Sequence, residues 1–189
     1  MKVVAFNGSP HRNGNTSILI GEMFKIMETS GFDTELVQLG NKTVHGCTAC
    51  GLCKETGDAQ CHIKNEYLNL CIEKMLEADG IIIGSPVYFA DVTPEVKALI
   101  DVAGYTTRAA GHLLKRKVGA AVIAVRRGGA MPAFNTINNF FLINQMLVPG
   151  SSYWNFALGR HPGDVLDDAE GMQTIRTLAE NMSWLLKKI

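Results

Sequence analysis

The chain has 189 residues, about the length of one domain, and its 47 % hydrophobic and 19 % charged residues exclude a disordered chain. Because 18 Lys and Arg residues balance 18 Asp and Glu residues, we expect neither nucleic acid nor an anionic membrane as the main partner. The sequence shows no apolar segment of the roughly 20 residues that a membrane span needs, and its first apolar run is too short for a signal peptide. We therefore expect a cytoplasmic protein.

Short apolar runs alternate with longer helical patterns in the first half of the chain. The patterns predict strands at 3–6, 34–39 and 80–84, with helices at 16–27 and 65–76 between them. The run at 80–84 is apolar between two glycines, which is typical of a central parallel strand buried on both faces.

The second half continues the alternation. Pro94 begins a predicted helix, with Thr93 as its N-cap and Glu95 near its positive end. The remaining predictions are a strand at 118–125, a helix at 132–146, a fifth strand at 146–148 or 153–157, and a last helix over 169–186. This alternation, without a break in composition, predicts a single α/β domain over residues 1–189 with a mostly parallel sheet.

Ligands of parallel sheets bind beyond the carboxyl ends of the strands, which directs attention to the loops 8–17, 84–92 and 126–132. The first loop lacks the motifs of the ATP-binding loop and of the dinucleotide fold. It precedes a helix whose first N–H groups are unpaired, which favours a single phosphate. A turn followed by an N-cap would use the same residue types. The polar side chains available are Ser9, Arg12, Asn15, Thr16 and Ser17.

Three segments carry a family resemblance. Gly8-Ser9-Pro10-x3-Gly14-Asn15-Thr16 is similar to the opening of the NAD(P)H-dependent FMN reductase and multimeric flavodoxin-like families. The segment 84–88 resembles their second flavin loop, and 94–101 resembles the helix after it. The resemblance implies a flavodoxin-like fold, with five parallel strands in the order 2-1-3-4-5 and helices on both faces. It also implies that Ser9, Arg12, Asn15, Thr16 and Ser17 hold the FMN phosphate.

The other two loops would hold the flavin ring. A ring needs a flat apolar platform, which Tyr88 and Phe89 could supply, although most aromatic residues pack into the core. Arg126 or Arg127 could stabilise the negative charge of the reduced ring, or both could form a solvated basic turn. The predicted ring-binding residues are Pro86, Val87, Tyr88, Phe89, Arg126, Arg127, Gly128 and Gly129.

Four of the five cysteines lie within a loop at residues 46–62, namely Cys47, Cys50, Cys53 and Cys61. In a reducing compartment such a cluster more often binds metal than forms disulfides. Three thiols at intervals of three, with a fourth nearby, favour a [4Fe-4S] cluster, because zinc sites usually use two separate knuckles. A zinc site and a cysteine loop without a cluster remain open. Cys71 lies within a predicted helix, as a buried structural thiol would.

The combination resembles the iron–sulfur flavoproteins, which join an FMN domain to one [4Fe-4S] cluster. The seven-residue gap before Cys61 is long for that family, and His62 follows Cys61 where bacterial ferredoxins have Pro. The resemblance implies an FMN-dependent oxidoreductase that passes electrons between FMN and a cluster. It also implies NADH, NADPH or a small ferredoxin-like protein as redox partner, and a homodimer or homotetramer. The alternatives are an NAD(P)H-dependent FMN or quinone reductase without a cluster, a flavodoxin-type carrier, and a zinc-stabilised binding protein.

Overall fold

The structure is a computed structural model that describes residues 1–189. A short 3₁₀ helix, Asp164–Asp167, precedes the last α-helix. The strands and α-helices, in chain order, are β1 (Lys2–Asn7), α1 (Asn15–Thr29), β2 (Asp33–Gln38), α2 (Leu52–Thr56), α3 (Glu66–Glu77), β3 (Gly80–Pro86), α4 (Pro94–Ala109), β4 (Val118–Val125), α5 (Ala130–Ile143), β5 (Phe156–Leu158) and α6 (Ala169–Leu186).

All five strands form one parallel sheet in the order β2-β1-β3-β4-β5, which confirms the predicted order. The centre of the sheet is apolar because it is covered on both faces. All eight residues of β4 are buried, as are all of β3 except Pro86. Such strands carry no alternation of polar and apolar residues, and their continuous apolar runs identify them in the sequence.

Helices cover both faces of the sheet, as predicted. The helices α1 and α6 pack on one face, around Leu19, Met23 and Leu178. The helices α3, α4 and α5 pack on the other face, around Leu68 and Leu99. None of the helices is both long and apolar enough to cross a membrane.

Most elements lie within two residues of their predicted bounds, whereas α5 and β5 differ by more, and α2 has no predicted counterpart. The helix predicted at 132–146 is α5, which begins two residues earlier because Gly129, at φ +87°, turns the chain directly into it. It ends before Gln145, which is in the left-handed region at φ +60°. The fifth strand contains only three residues, and its predicted alternative near Leu147 forms just an isolated bridge to Val118.

Candidate functional site

The loop after β1 is bound tightly to the neighbouring strand. The N–H of Gly8 donates to the carbonyl of Gly84 at 2.8 Å, and the Thr93 hydroxyl donates to the Gly8 carbonyl at 3.0 Å. A Cβ atom on residue 8 would lie 2.2 Å from Val96 Cγ2, so this close approach requires glycine. Thr93 stands at the N-cap of α4 as predicted, but its side chain makes no capping bond. It joins two loops of the sheet edge instead.

The first turn of α1 leaves backbone donors free. Gly14 is the N-cap residue, and no side chain caps the helix. The N–H groups of Asn15, Thr16 and Ser17 make no hydrogen bond within the chain. Unpaired N–H groups and the positive end of the helix dipole favour an anion. This arrangement fits a phosphate better than it fits a turn closed by a side-chain cap.

The side chains predicted to bind phosphate occupy different positions around this turn. Ser9 is buried, and its Oγ accepts the N–H of His11 at 3.2 Å, while Thr16 is also buried. Ser17 is half-buried and Arg12 is exposed. All of them belong to the turn that presents the free N–H groups, and their role as phosphate ligands stays a prediction.

Asn15 has a different set of contacts. Its side-chain amide donates to the carbonyl of His161 at 2.9 Å and accepts the N–H of Gly163 at 2.8 Å. The amide therefore ties the loop after β5 to the phosphate turn. This fourth loop, residues 159–163, is not part of the predicted site, although a proline, two glycines and two basic residues after a strand are a recognisable loop signal.

The second loop is a tight two-residue turn that presents an aromatic side chain to solvent. The N–H of Tyr88 donates to the carbonyl of Asp91 at 2.8 Å, and the reverse bond is 3.0 Å. Phe89 and Ala90 lie between them in the left-handed region, at φ +46° and +63°. Phe89 is fully exposed and Tyr88 is 43 % exposed, so neither belongs to the core. Exposure of both rings favours the predicted platform over core packing.

The third loop packs against the second. A Cβ atom on Gly129 would lie 2.9 Å from Ala90 Cα and 3.1 Å from Val87 Cγ1. Val87 also donates its N–H to the carbonyl of Ala124 at 3.0 Å. The two predicted ring-binding loops thus form one surface beside the phosphate turn.

The remaining predicted ring-binding residues lie at the protein surface. Arg126, Arg127 and Gly128 are exposed, and Pro86 is partly exposed at the end of β3. The structure gives neither arginine an ion pair. Both cations are therefore available to an anionic ligand at this edge.

The cysteine loop begins where β2 leaves the same sheet edge. A Cβ atom on Gly40 would lie 2.1 Å from the Ser9 carbonyl oxygen, and Asn41 Nδ2 donates to the Pro10 carbonyl at 2.9 Å. The chain then passes Val44, which packs on the core, and reaches Cys47. The loop therefore starts beside the phosphate turn and runs along α4.

The four clustered cysteines line one cavity of about 140 Å³. Residues of α4 close its other side, among them Val102, Tyr105 and Thr106. Val102 stands eight residues after Pro94, so the cavity lies roughly 12 Å along α4 from the sheet edge. Cys47 and Cys50 are exposed, and Cys53 and Cys61 are partly exposed.

Electrostatics show that these thiols are close neighbours. Burial, and then the negative charge of Cys47, Cys50 and Cys61, raise the pKa of the Cys53 thiol. A cation in the cavity would reverse this repulsion between thiolates. Left-handed residues at Ala49 and Gly51 turn the chain between successive cysteines.

The donor set fits an iron–sulfur cluster in its chemistry, since four thiolates are the ligands such clusters use. The side chains do not stand in the closely converged arrangement that a single metal ion requires. What brings the four thiols together is the shared cavity. Cys71 is separate from them, buried in α3, where burial raises the pKa of its thiol to about 12.

Two asparagines of the α3 region hold the two ends of the cysteine loop. Asn69 accepts the N–H of Cys61 at 2.8 Å and donates to its carbonyl at 2.9 Å. Asn65 accepts the N–H of His45 at 3.0 Å and donates to the His45 carbonyl at 2.9 Å. Neither residue is part of the predicted site, although two asparagines at a spacing of four shortly after a cysteine motif are a visible signal.

Comparison with known proteins identifies a matching family and full-length relatives. The family described as NADPH-dependent FMN reductase matches residues 1–161. An iron-sulfur flavoprotein of Methanocaldococcus jannaschii is 38 % identical over 196 residues, covering 100 % of this chain and 99 % of that protein. An iron-sulfur flavoprotein of Methanosarcina thermophila is 32 % identical over 191 residues, covering 100 % and 97 %.

The fold has solved counterparts. A flavodoxin, WrbA-like protein from Agrobacterium tumefaciens superposes with a TM-score of 0.66 and 12 % identity, covering 99 % of this chain and 97 % of that one. At that identity the likeness concerns the fold alone, and it confirms the flavodoxin-like prediction.

Proposed function

The chain belongs to the NADPH-dependent FMN reductase family and is a flavin-dependent oxidoreductase, and we propose that it passes electrons between FMN and a [4Fe-4S] cluster held by its cysteine loop. The observation that carries the proposal is the single cavity lined by Cys47, Cys50, Cys53 and Cys61. It lies beside α4, the helix that leads away from the predicted ring-binding loop. The full-length relatives named iron-sulfur flavoproteins support this interpretation.

The residues of the sheet edge would bind and orient the flavin. Free N–H groups in the first turn of α1 would receive the phosphate, with Ser9, Arg12, Thr16 and Ser17 around it. Asn15 would hold the adjoining loop in place through His161 and Gly163. These contacts fix the position of the cofactor and transfer no proton.

The ring would lie against the second and third loops. Tyr88 and Phe89 would cover its apolar faces, and the backbone around Val87 and Gly129 would set the shape of the surface. Arg126 or Arg127 would stabilise negative charge on the reduced ring, which raises the flavin potential.

The number of electrons that each group transfers explains why a flavin and an iron–sulfur cluster would be useful together in one small protein. Flavin exchanges one or two electrons, a nicotinamide gives two as hydride, and a cluster passes one. The four cysteines would act as ligands, with none of them acting as a nucleophile. NADH, NADPH or a small ferredoxin-like protein would supply or take the electrons, and the chain would assemble as a homodimer or homotetramer.

The cluster is tested by removing one ligand. Cys50→Ala should keep FMN but lose iron and acid-labile sulfide, measured on protein purified anaerobically together with its visible spectrum. Cys71→Ala is the matched control, since it removes a thiol buried in the core and should keep FMN, iron and sulfide.

Other outcomes would point to other functions. If Cys50→Ala retains iron and sulfide, the ligand assignment is wrong. A yellow wild-type protein without iron that oxidises NAD(P)H would be a reductase without a cluster. A yellow protein with neither iron nor turnover would be a carrier, and bound zinc would indicate the zinc-stabilised alternative.

A further inference from the structure

The residue at the N-cap of α3 does not cap its helix. Asn is among the preferred N-cap residues because its side chain accepts an N–H of the first turn, which contributes about 1 kcal/mol. Asn65 makes no such bond. Asn65 is only 4 % exposed, and its side chain points away from the helix, toward the cysteine loop. Another interaction must account for that orientation.

The side chain of Asn65 uses all its donors on the cysteine loop. One Nδ2 hydrogen bond reaches the carbonyl of His45 at 2.9 Å, and a second reaches Cys61 Sγ at 3.6 Å. Its Oδ1 accepts the N–H of His45 at 3.0 Å. A primary amide has two N–H donors, so the bonds to His45 fix the plane of the amide and direct the other hydrogen to sulfur.

This contact is unusual among the four clustered cysteines. Cys47 Sγ accepts the backbone N–H of Ala49 at 3.4 Å, a bond within the loop itself. The structure shows no hydrogen bond to the sulfur of Cys50 or Cys53. Cys61 alone receives a side-chain donor, and that donor is anchored to a helix outside the loop.

We propose that Asn65 is a positioning residue that holds Cys61 and, through its N–H···S bond, raises the reduction potential of the cluster bound there. The inference rests on the proposed function. Reduction adds negative charge that spreads onto the ligand sulfurs, and a donor directed at one sulfur stabilises the reduced form more than the oxidised one. Removing that donor should therefore lower the potential.

Asn69 provides a matched comparison. It sits one helical turn further along α3 and bonds to the backbone N–H and carbonyl of Cys61, at 2.8 and 2.9 Å. It makes no bond to the sulfur. Loss of Asn69 therefore disturbs the position of Cys61 without removing the donor.

The experiment compares Asn65→Asp, Asn65→Ala and Asn69→Ala with the wild type. The Asp variant keeps the shape of the side chain and its acceptor for His45, whereas the Ala variant removes the donor without adding a charge. Iron, sulfide and FMN contents are measured first, and the cluster midpoint potential is then followed by its paramagnetic signal. Both Asn65 variants should have a lower potential than the wild type, and Asn69→Ala should match the wild type.

Each possible result supports or overturns the proposed role of Asn65, or refutes the proposed function on which it rests. Unchanged potentials in cluster-containing Asn65 variants would overturn the inference, as would an equal decrease in Asn69→Ala. If the Asn65 variants bind FMN but no cluster, retention of the cluster by Asn69→Ala supports the inference, and its loss there overturns it. A wild-type protein without iron and sulfide would instead refute the proposed function.

Discussion

The loops at the carboxyl edge of the sheet are joined to one another by hydrogen bonds, whereas the cysteine loop is attached mainly near its ends. Gly8 bonds to Gly84, and Val87 bonds to Ala124, both through the backbone. Residues 43–50 make no backbone-to-backbone hydrogen bond at all. The cysteine loop is held instead by side chains such as Asn65 and by its packing on α4.

The two regions differ in how much of their binding geometry is formed before a ligand binds. The predicted flavin-binding loops directly follow strands of the sheet, so their shape is fixed when the strands pair. The thiols share a cavity without converging, and a bound cation would offset the repulsion between their thiolate forms. We therefore expect FMN binding to depend on backbone fit, and the order of the cysteine loop to depend on its metal.

The largest effect is expected from filling the space at Gly8. In Gly8→Ala the new Cβ would overlap Val96 and the Gly84 carbonyl. Overpacking of this kind costs about 1–3 kcal/mol, and the displaced loop should also bind FMN more weakly. Thermal unfolding and flavin titration measure the two effects. Gly21→Ala is the control, because that position in α1 has open space and should be neutral or slightly stabilised.

Removal of the proposed cluster should separate the two regions directly. After anaerobic chelation, amide hydrogen exchange should accelerate at least tenfold within residues 43–64, equal to about 1.4 kcal/mol of local opening free energy. The loops at 8–17 and 84–92 should keep their protection, because strand pairing and not metal holds them. Equal acceleration in both regions would contradict the expectation that only the cysteine loop depends on metal.

A smaller effect, opposite in sign for stability and binding, is expected at Phe89. Its left-handed backbone is unfavourable for a residue with a Cβ, by about 1 kcal/mol. Phe89→Gly should therefore raise the melting temperature while weakening FMN binding, since the exposed ring is lost. Ala90→Gly relieves the same kind of strain without removing a ring and should leave FMN affinity unchanged. Equal FMN affinity in both variants would remove Phe89 from the site.

The smallest effect is expected outside both regions. Hydrogen bonds from Arg176 and then Lys25 lower the pKa of Glu22, which links α1 to α6. A lowered folded pKa means that the bond stabilises the protein above the unfolded pKa and that this contribution is lost as pH falls through the folded pKa. Glu22→Gln should cost about 0.5 kcal/mol at pH 7. The difference from wild type should shrink as the pH falls below the ordinary glutamate pKa and vanish once the pH is below the lowered pKa of the folded state. FMN and iron contents should not change.

The sequence predicts most of the fold because the central strands are apolar without interruption. The apolar residues of β3 and β4 and the regular spacing in α6 leave little choice of element. The short strand β5 is harder to predict, because it contains only three residues that pair with β4 and the run at 146–148 is also apolar. Local signals do not separate such an edge strand from the nearby run at Leu147.

The site is predictable where residue type determines chemistry and less so where a contact does. The four spaced cysteines and the polar loop after β1 can be recognised as candidate site residues from the sequence alone. Asn15 shows the limit, because its bonds reach residues nearly 150 positions away. Asn65 has an N-cap's position and residue type, and only the folded chain shows that it faces Cys61.

The spacing of the cysteines has a consequence for the order in which the two sites can assemble. Residues 47–61 and their anchors Asn65 and Asn69 form one short stretch of chain, and loops of such length close within microseconds. The predicted flavin-binding loops are joined by hydrogen bonds of residue 8 to 84, residue 87 to 124 and residue 15 to 161, so they cannot assemble until distant segments have met. Flavin binding therefore requires distant segments to have met, whereas the four proposed cluster ligands and their asparagine anchors are all present once α3 has been synthesised, before α4 closes the cavity.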